Sequence, residues 1–235
     1  MKRHLIMTCF TLLTFFSLSA QDSLTIKRKL RFPAWITHSA NKDIVGVSLA
    51  AFPKGVFKSD TTLTRTFGLR IEASLLAALS PLMPKSPVSE SFENYKATQN
   101  SKLTEIIYGV NLSSGTFGST RVNGISGGLF LQYLYSMNGV SFSPLGNLME
   151  KHNGISLSIL GNEAYIANGL FIGLGNLAVD FNGIEIGVIN TVVGHGVGIQ
   201  IGLFNEAKDF KGIQLGLWNK NEKRSLPFVN WNFKS

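Results

Sequence analysis

The chain has 235 residues, a formal net charge of +8 and a single cysteine, Cys9. One cysteine excludes a disulfide framework and a thiolate metal site built from several cysteines. The positive charge does not indicate a nucleic-acid-binding protein, because no basic motif interleaved with aromatic residues accompanies it. The length suits one all-β domain or two small ones.

The first twenty residues are typical of a secretory signal peptide. Two basic residues, Lys2 and Arg3, precede an uncharged, largely apolar run over residues 5–18. That run is shorter than the roughly 20 residues that a membrane-spanning helix needs. We therefore expect an exported chain, cleaved after Ser19 or Ala20, whose mature form contains no cysteine.

Residues 21–122 are predicted to form an N-terminal region of longer strands paired as β-hairpins, with no amphipathic helix. Its basic start is either a solvated terminus or a site for an anionic partner such as lipid head groups. In the strand at residues 67–75, Arg70 and Glu72 share one face and can pair. Residues 80–103, which contain three prolines and many polar residues, are predicted to be a long loop.

From residue 123 to residue 219, two markers recur together every 14 or 15 residues. One marker is a glycine and the other is an asparagine, and the segment between them alternates apolar with variable residues. A fixed period held by two markers predicts tandem β repeats. The repeat markers are Gly139, Gly154, Gly169, Gly183, Gly198 and Gly212, with Asn147, Asn162, Asn176, Asn190, Asn205 and Asn219.

Two architectures fit this repeat. In a β-solenoid each unit is one coil, the asparagines stack into a ladder and each glycine occupies a corner with positive φ. In an outer-membrane-type antiparallel β-barrel of about 12 strands, successive units run in opposite directions and each strand needs about 9–11 residues. The common order of the markers gives every unit the same sense, so we expect the solenoid and keep the barrel as the alternative. Residues 220–235 are predicted to form a closing strand.

The last units resemble a known group of proteins. The sequences Gly198–Asn205 (GIQIGLFN) and Gly212–Asn219 (GIQLGLWN), followed by the Lys-Arg-Ser-Leu-Pro tail in residues 221–233, are similar to exported surface-repeat proteins of Gram-negative bacteria with GLQIGLxN-type repeats. The similarity spans residues 105–233, although Pro144 interrupts an earlier unit. It implies an outer-membrane or cell-surface location and supplies no activity or site.

No catalytic, cofactor-binding or metal-binding residues are predicted. The three histidines after the signal peptide, His38, His152 and His195, have no carboxylate or second histidine at the spacing of metal ligands. The glycines of residues 194–198 are explained by the repeat, and no helix follows to hold a phosphate. Glu185 has no acidic equivalent in the neighbouring units, where glutamine occurs, so a paired-carboxylate site is not indicated.

Two further expectations concern side chains of the repeat. If the coils stack, Glu185, Gln200 and Gln214 form a polar stripe. The aromatic residues Phe204, Trp218 and Trp231 either pack within the fold or line a ligand platform or membrane interface. We expect a non-enzymatic envelope protein acting as a structural or interaction scaffold, whose partner is the outer membrane or another envelope component. The alternative is an integral β-barrel serving as a pore or anchor.

Overall fold

The chain folds as a β-solenoid of about eleven coils. The computed structural model describes residues 28–52, 54, 62–74, 85–100 and 103–233, so the predicted signal peptide lies outside the described residues. The strands stack in the order β1, then β3 through β13, and β2 lies beside β3. Their bounds are β1 Lys29–Arg31, β2 Ala34–Ile36, β3 Lys42–Ala50, β4 Thr64–Glu72, β5 Glu105–Ser113, β6 Thr120–Gly128, β7 Leu131–Ser143, β8 Gly146–Ser158, β9 Gly161–Ile172, β10 Gly175–Ile186, β11 Ile189–Ile201, β12 Phe204–Lys220 and β13 Ser225–Asn232.

All strand pairs from β1 to β12 are parallel, and equivalent residues of successive coils lie side by side. Asn162, Asn176 and Asn190 form one column. The solenoid prediction is therefore confirmed. The antiparallel barrel is wrong, and the longer early strands pair in parallel across the stack and not as hairpins. Among the described strands only β13 pairs antiparallel, with β12, and it closes the C-terminal end of the stack.

A column of ten glycines runs along the stack, one in each coil from β3 to β12, all with φ between +111° and +149°. At this bend the strand changes direction, and a residue with a Cβ does not readily adopt such a φ. The column also allows close stacking: a Cβ on Gly183 would lie 1.9 Å from the carbonyl oxygen of Gly169. Its members are Gly46, Gly68, Gly109, Gly124, Gly139, Gly154, Gly169, Gly183, Gly198 and Gly212.

The bend divides each coil into two segments, which we call the first segment and the second segment. In the coil of Gly183, the first segment is residues 175–182 and the second is residues 184–186, and a short turn then leads to the next coil. The first segment supplies most of the apolar core. Its inward residues include Met149, Ala164, Ala178 and Val192, which stack in one column and are buried.

The stack begins well before residue 123, because Gly46, Gly68 and Gly109 already belong to the glycine column. Part of the predicted loop at residues 80–103 is a helix, α1, Phe92–Asn100. It follows a short described stretch whose Val88 packs with Tyr95 of α1 against Tyr165 on the outside of the first segments. The two tyrosine rings stack with their centroids 4.3 Å apart. The helix thus covers part of the stack, which explains why a short polar helix is stable there.

Candidate interaction surface

An asparagine ladder holds the inner side of the turns. In each rung one Nδ2 hydrogen donates to the Oδ1 of the next coil's asparagine, as between Asn162 and Asn176 at 2.9 Å. The second hydrogen donates to the carbonyl at the end of the second segment of the same coil, as from Asn176 to Ile186 at 3.0 Å. Each amide therefore ties two coils together and closes its own turn. The ladder prediction is confirmed from Asn147 to Asn219.

The second segments place their polar residue inside the coil. Glu185, Gln200 and Gln214 lie in register and are buried, which confirms the predicted polar stripe and locates it in the interior. The stripe continues through most of the stack and is interrupted by one aromatic residue. This inner polar column consists of Ser48, Arg70, Asn111, Ser126, Ser141, Ser156, Phe171, Glu185, Gln200, Gln214 and Asn230.

Because side chains alternate along a strand, the residues on either side of this column point outward. They form two continuous rows of twelve levels, apolar everywhere except at Gly127, and none of their residues is buried. We call these two rows the apolar face. The first row is Ala34, Val47, Leu69, Val110, Ile125, Val140, Ile155, Leu170, Ile184, Ile199, Ile213 and Trp231; the second is Ile36, Leu49, Ile71, Leu112, Gly127, Phe142, Leu157, Ile172, Ile186, Ile201, Leu215 and Val229.

The turns widen the apolar face in the later coils. The side chains that follow the second segments there are also apolar and exposed, among them Leu174, Leu203, Phe204, Leu217 and Trp218. The aromatic residues singled out in the sequence therefore lie on the surface and do not fill the core. Phe204 and Trp218 lie in these turns, whereas Trp231 ends the first row at the C-terminal end of the stack.

The apolar face is large for a protein surface. A strand spacing of about 4.8 Å gives its twelve levels a length of roughly 50 Å, and two side chains across give a width of roughly 14 Å. The area is then on the order of 700 Å², larger than the roughly 300–600 Å² of the largest apolar patch on a typical monomer. A surface of this size and continuity indicates an interaction site.

Charge is segregated from the apolar face. In residues 123–219 all charged residues except Glu185 belong to first segments, on the other side of the glycine bend. Outward examples are Asp180, Glu206, Lys208 and Asp209. The backbone of the second segments is hydrogen-bonded between coils, so the face offers few polar groups to water. The surface therefore presents apolar side chains above a backbone whose polar groups are already paired.

An ion cluster lies in the interior of the coils near the N-terminal end of the stack. Arg70 donates to both oxygens of Glu105, at 2.7 and 3.3 Å, and to Glu72 at 2.5 Å. Its remaining nitrogen donates to Asn111 at 2.9 Å and Thr116 at 3.4 Å. The expected pairing of Arg70 with Glu72 is thus confirmed, and it lies in the interior. Burial raises the pKa of Glu72 despite the neighbouring guanidinium. Because the guanidinium is fully satisfied and enclosed, this cluster stabilises the fold and offers no binding site.

Toward the C-terminal end, a chain of hydrogen bonds runs through the interior of the last coils. Arg224 donates to Asn230 at 2.9 Å, Asn230 to Gln214 at 3.0 Å, Gln214 to Gln200 at 2.8 Å, and Gln200 to Glu185 at 2.7 Å. Every donor in this chain points toward the carboxyl group of Glu185. Burial raises the pKa of Glu185 to about 8.

Beside α1, the carboxylate of Glu150 accepts two hydrogen bonds. Tyr133 donates to Oε1 of Glu150 at 2.8 Å, and the backbone amide of Ser89 donates to the same oxygen at 3.2 Å. A cavity of about 310 Å³ lies between this stretch and the first segments, lined mainly by apolar side chains and by Glu90 and Glu163. These contacts anchor the stretch before α1 to the stack.

The histidines occupy three unrelated places. His152 is buried in the core with its ring 5.2 Å from that of Phe171, and burial lowers its pKa to about 4. His195 is exposed and contacts Asp209 at 2.7 Å, while His38 lies beside Phe52. Within the described residues no three potential ligands cluster in a way that could hold a metal ion. No helix in the described part of the chain has the length and apolarity to cross a membrane.

Comparisons with known proteins add no relative. No family model matches the chain, and no curated protein or solved structure matches it either. The interpretation of the surface therefore depends on its own geometry and chemistry.

Proposed function

We propose that this chain is an exported, envelope-associated, non-enzymatic scaffold that acts through its apolar face. The observation that carries the proposal is the pair of outward rows, apolar at each of twelve levels of the stack except at Gly127 in the second row. A repeat that places serine, glutamine and glutamate inside and isoleucine outside keeps apolar surface available for contact. The basic, then apolar N-terminal segment supports export, and the similarity to exported surface-repeat proteins supports the outer membrane or cell surface as its location.

A scaffold role agrees with the way the chain uses its ionisable groups. Arg70, Glu72 and Glu105 neutralise one another inside the coils. Glu185 and His152 lie in the interior as well, with side chains packed against neighbouring coils. The ion cluster of Arg70, Glu72 and Glu105 contributes to the rigidity of the stack. A rigid stack presents its outward residues at fixed positions, which suits a docking surface.

Cell fractionation of the full chain tests the proposal. We expect the mature protein, beginning at Ala20 or Gln21 by mass spectrometry, in the envelope fraction. The double variant Ile186→Asp with Ile201→Asp, which charges two adjacent levels of the apolar face, should move mostly to the soluble fraction. Lys208→Asp is the matched control, because Lys208 is exposed on a first segment and its substitution changes the charge by the same two units. An unprocessed chain in the cytoplasm, or a double variant distributed like the wild type, would contradict the proposal.

A further inference from the structure

We infer that the apolar face is covered by the apolar face of a second copy of this chain, giving a closed, face-to-face dimer. This inference rests on the proposed function and names the partner of the same surface, so that the dimer, and not the single chain, is the unit that the envelope retains. Three properties of the face support it: its area, its neutral border and its regular spacing.

The area of the face matches what a stable dimer buries. The two rows cover on the order of 700 Å², and the apolar turns of the later coils add to this. A specific protein–protein interface buries about 800 Å² on each partner. The face is free of charged residues, as is typical of the centre of an interface. A second copy therefore supplies a surface of the required size and chemistry.

The border of the face is neutral through most of the repeat. The position before the bend glycine is Asn123, Asn138, Asn153, Asn168 or Asn182 in five successive coils. Three of these side chains donate to the asparagine of the preceding coil, at 2.7–2.9 Å, and form a flat outer ladder. A surface that binds anionic lipid is typically bordered by lysine and arginine. A neutral polar rim fits a protein partner better.

The spacing of the face is self-complementary. Its side chains form ridges that repeat with the strand spacing of about 4.8 Å, and the ridges of a second copy repeat with the same spacing. Two such sheets can interdigitate at about 10 Å, as in β-sandwiches. A fluid lipid layer has no fixed period that could match these ridges. The repeat thus favours a partner with the same period.

The C-terminal end of the stack and the position of the apolar face both oppose assembly beyond a pair. The C-terminal end is closed by β13, which runs antiparallel to β12, carries Pro227 within the strand and lies beside the basic residues Lys223 and Arg224. Proline and charge at an edge strand oppose the addition of another strand. Since the described residues form one such pair of rows, its pairing with a second copy leaves no further pair of rows there to continue the assembly.

Sedimentation equilibrium of the mature chain without detergent tests the inference. We expect twice the mass of one chain at micromolar concentration for the wild type and for Lys208→Asp. The variant Ile186→Asp with Ile201→Asp should have the mass of one chain, with an unchanged circular dichroism spectrum. A second double variant, Phe142→Asp with Ile155→Asp, provides the same test in other coils if the first fails to fold.

Several outcomes would overturn the dimer. One is a wild-type monomer at 100 µM, and another is a dimer that persists in both folded double variants. A monomer that floats with phosphatidylethanolamine–phosphatidylglycerol vesicles, and loses this binding in the double variants, would assign the face to lipid. In that case the dimer fails and the envelope scaffold stands. If the double variants change neither mass nor cell fractionation, both proposals fail.

Discussion

Glu185 has an environment very different from that of a carboxylate in water. It lies inside the coil, accepts one hydrogen bond from Gln200 through Oε2, and leaves Oε1 without a partner in the described structure. Phe171 occupies the equivalent position of the preceding coil and offers no donor. Ionisation in such a place loses the solvation of water and gains little in return. Burial accordingly raises the pKa of Glu185 to about 8.

This shift predicts a stability that falls as the pH rises. The unfolded chain releases the proton near the ordinary value of 4.5 and the folded chain near 8, so the unfolded state is favoured increasingly between these values. The loss reaches about 3 kcal/mol at pH 7 at 1.36 kcal/mol for each unit of pKa. Glu185→Gln keeps an acceptor for Gln200 and cannot ionise. We expect this variant to be more stable than the wild type at pH 7 by up to that amount.

Urea unfolding at pH 4.5 and pH 8 measures the effect. The two proteins should differ little at the lower pH and most at the higher pH. The control is Glu206→Gln, because Glu206 is exposed and pairs only with Lys220 on the surface. Its removal should change stability by less than about 1 kcal/mol at either pH. Equal stabilities of wild type and Glu185→Gln at pH 8 would show that Glu185 does not carry the predicted penalty.

Each glycine of the column meets two requirements at the bend: a positive φ and close contact with the backbone of the preceding coil. Gly183 has a φ of +149°, and a Cβ there would lie 1.9 Å from a backbone oxygen of the preceding coil. Gly183→Ala must therefore separate two coils or rotate the bend out of register. We expect this single variant to lose more than about 4 kcal/mol of unfolding free energy, which is exceptional for one substitution.

Alanine variants at two other glycines distinguish the contribution of close stacking from that of the positive φ to the lost unfolding free energy. Gly118 has a φ of +114°, and no described atom lies within 4 Å of the place that a Cβ would occupy. Gly175 has no left-handed φ, and a Cβ there would lie 3.7 Å from the carbonyl oxygen of Leu160. Gly118→Ala should cost about 1 kcal/mol through backbone conformation alone. Gly175→Ala should be close to neutral. Thermal unfolding of the three variants measures the order, and similar losses in Gly118→Ala and Gly183→Ala would show that close stacking is unimportant.

The regular period made the later coils predictable, and insertions concealed the earlier ones. Successive bend glycines from Gly109 onward are 14 or 15 residues apart, but 22 residues separate Gly46 from Gly68 and 41 separate Gly68 from Gly109. The strands on either side of these insertions nevertheless pair in the same register. A sequence period does not survive such insertions, although the structural period does. Helix α1 belongs to the longer insertion, and its stability comes from contacts with Tyr165 that no local pattern shows.

The sequence predicted the alternation that forms the apolar face, but not that this face points to the solvent. Alternation at residues such as Ile184, Glu185 and Ile186 identifies two sides of a strand, and propensity alone assigns the apolar side to the core. The stack reverses this, because each buried Gln or Asn finds its partner in the equivalent residue of the next coil. Gln214 and Gln200 satisfy each other only when the coils are in register. That exchange is a property of the assembled column, so the orientation follows from tertiary structure.

The whole molecule is close to one-dimensional, since each coil contacts its two neighbours and little else. Its stability is then a sum of coil contributions and interfaces between adjacent coils. The two ends differ in composition: the ion cluster around Arg70 lies near the first coils, and the chain of hydrogen bonds ending at Glu185 begins at Arg224 of the closing strand. The middle coils have equivalent columns and are interchangeable in principle.

Removal of one complete coil tests this organisation. Deleting residues 175–188 joins Leu174 to Ile189 and places Asn190 directly beside Asn162, so that the glycine column and the asparagine ladder remain continuous. We expect the shortened chain to fold and to unfold cooperatively. At pH 4.5, where the ionisation of Glu185 costs little, its stability should be lower by about the contribution of one coil. Deleting only residues 175–181 removes half a coil and displaces Gly183 from its column. That chain should lose its β-sheet circular dichroism, because the outward and inward residues of every later coil would lose their alignment with the earlier ones. If the half-coil deletion folded as well as the full one, register between coils would not be what holds the solenoid together.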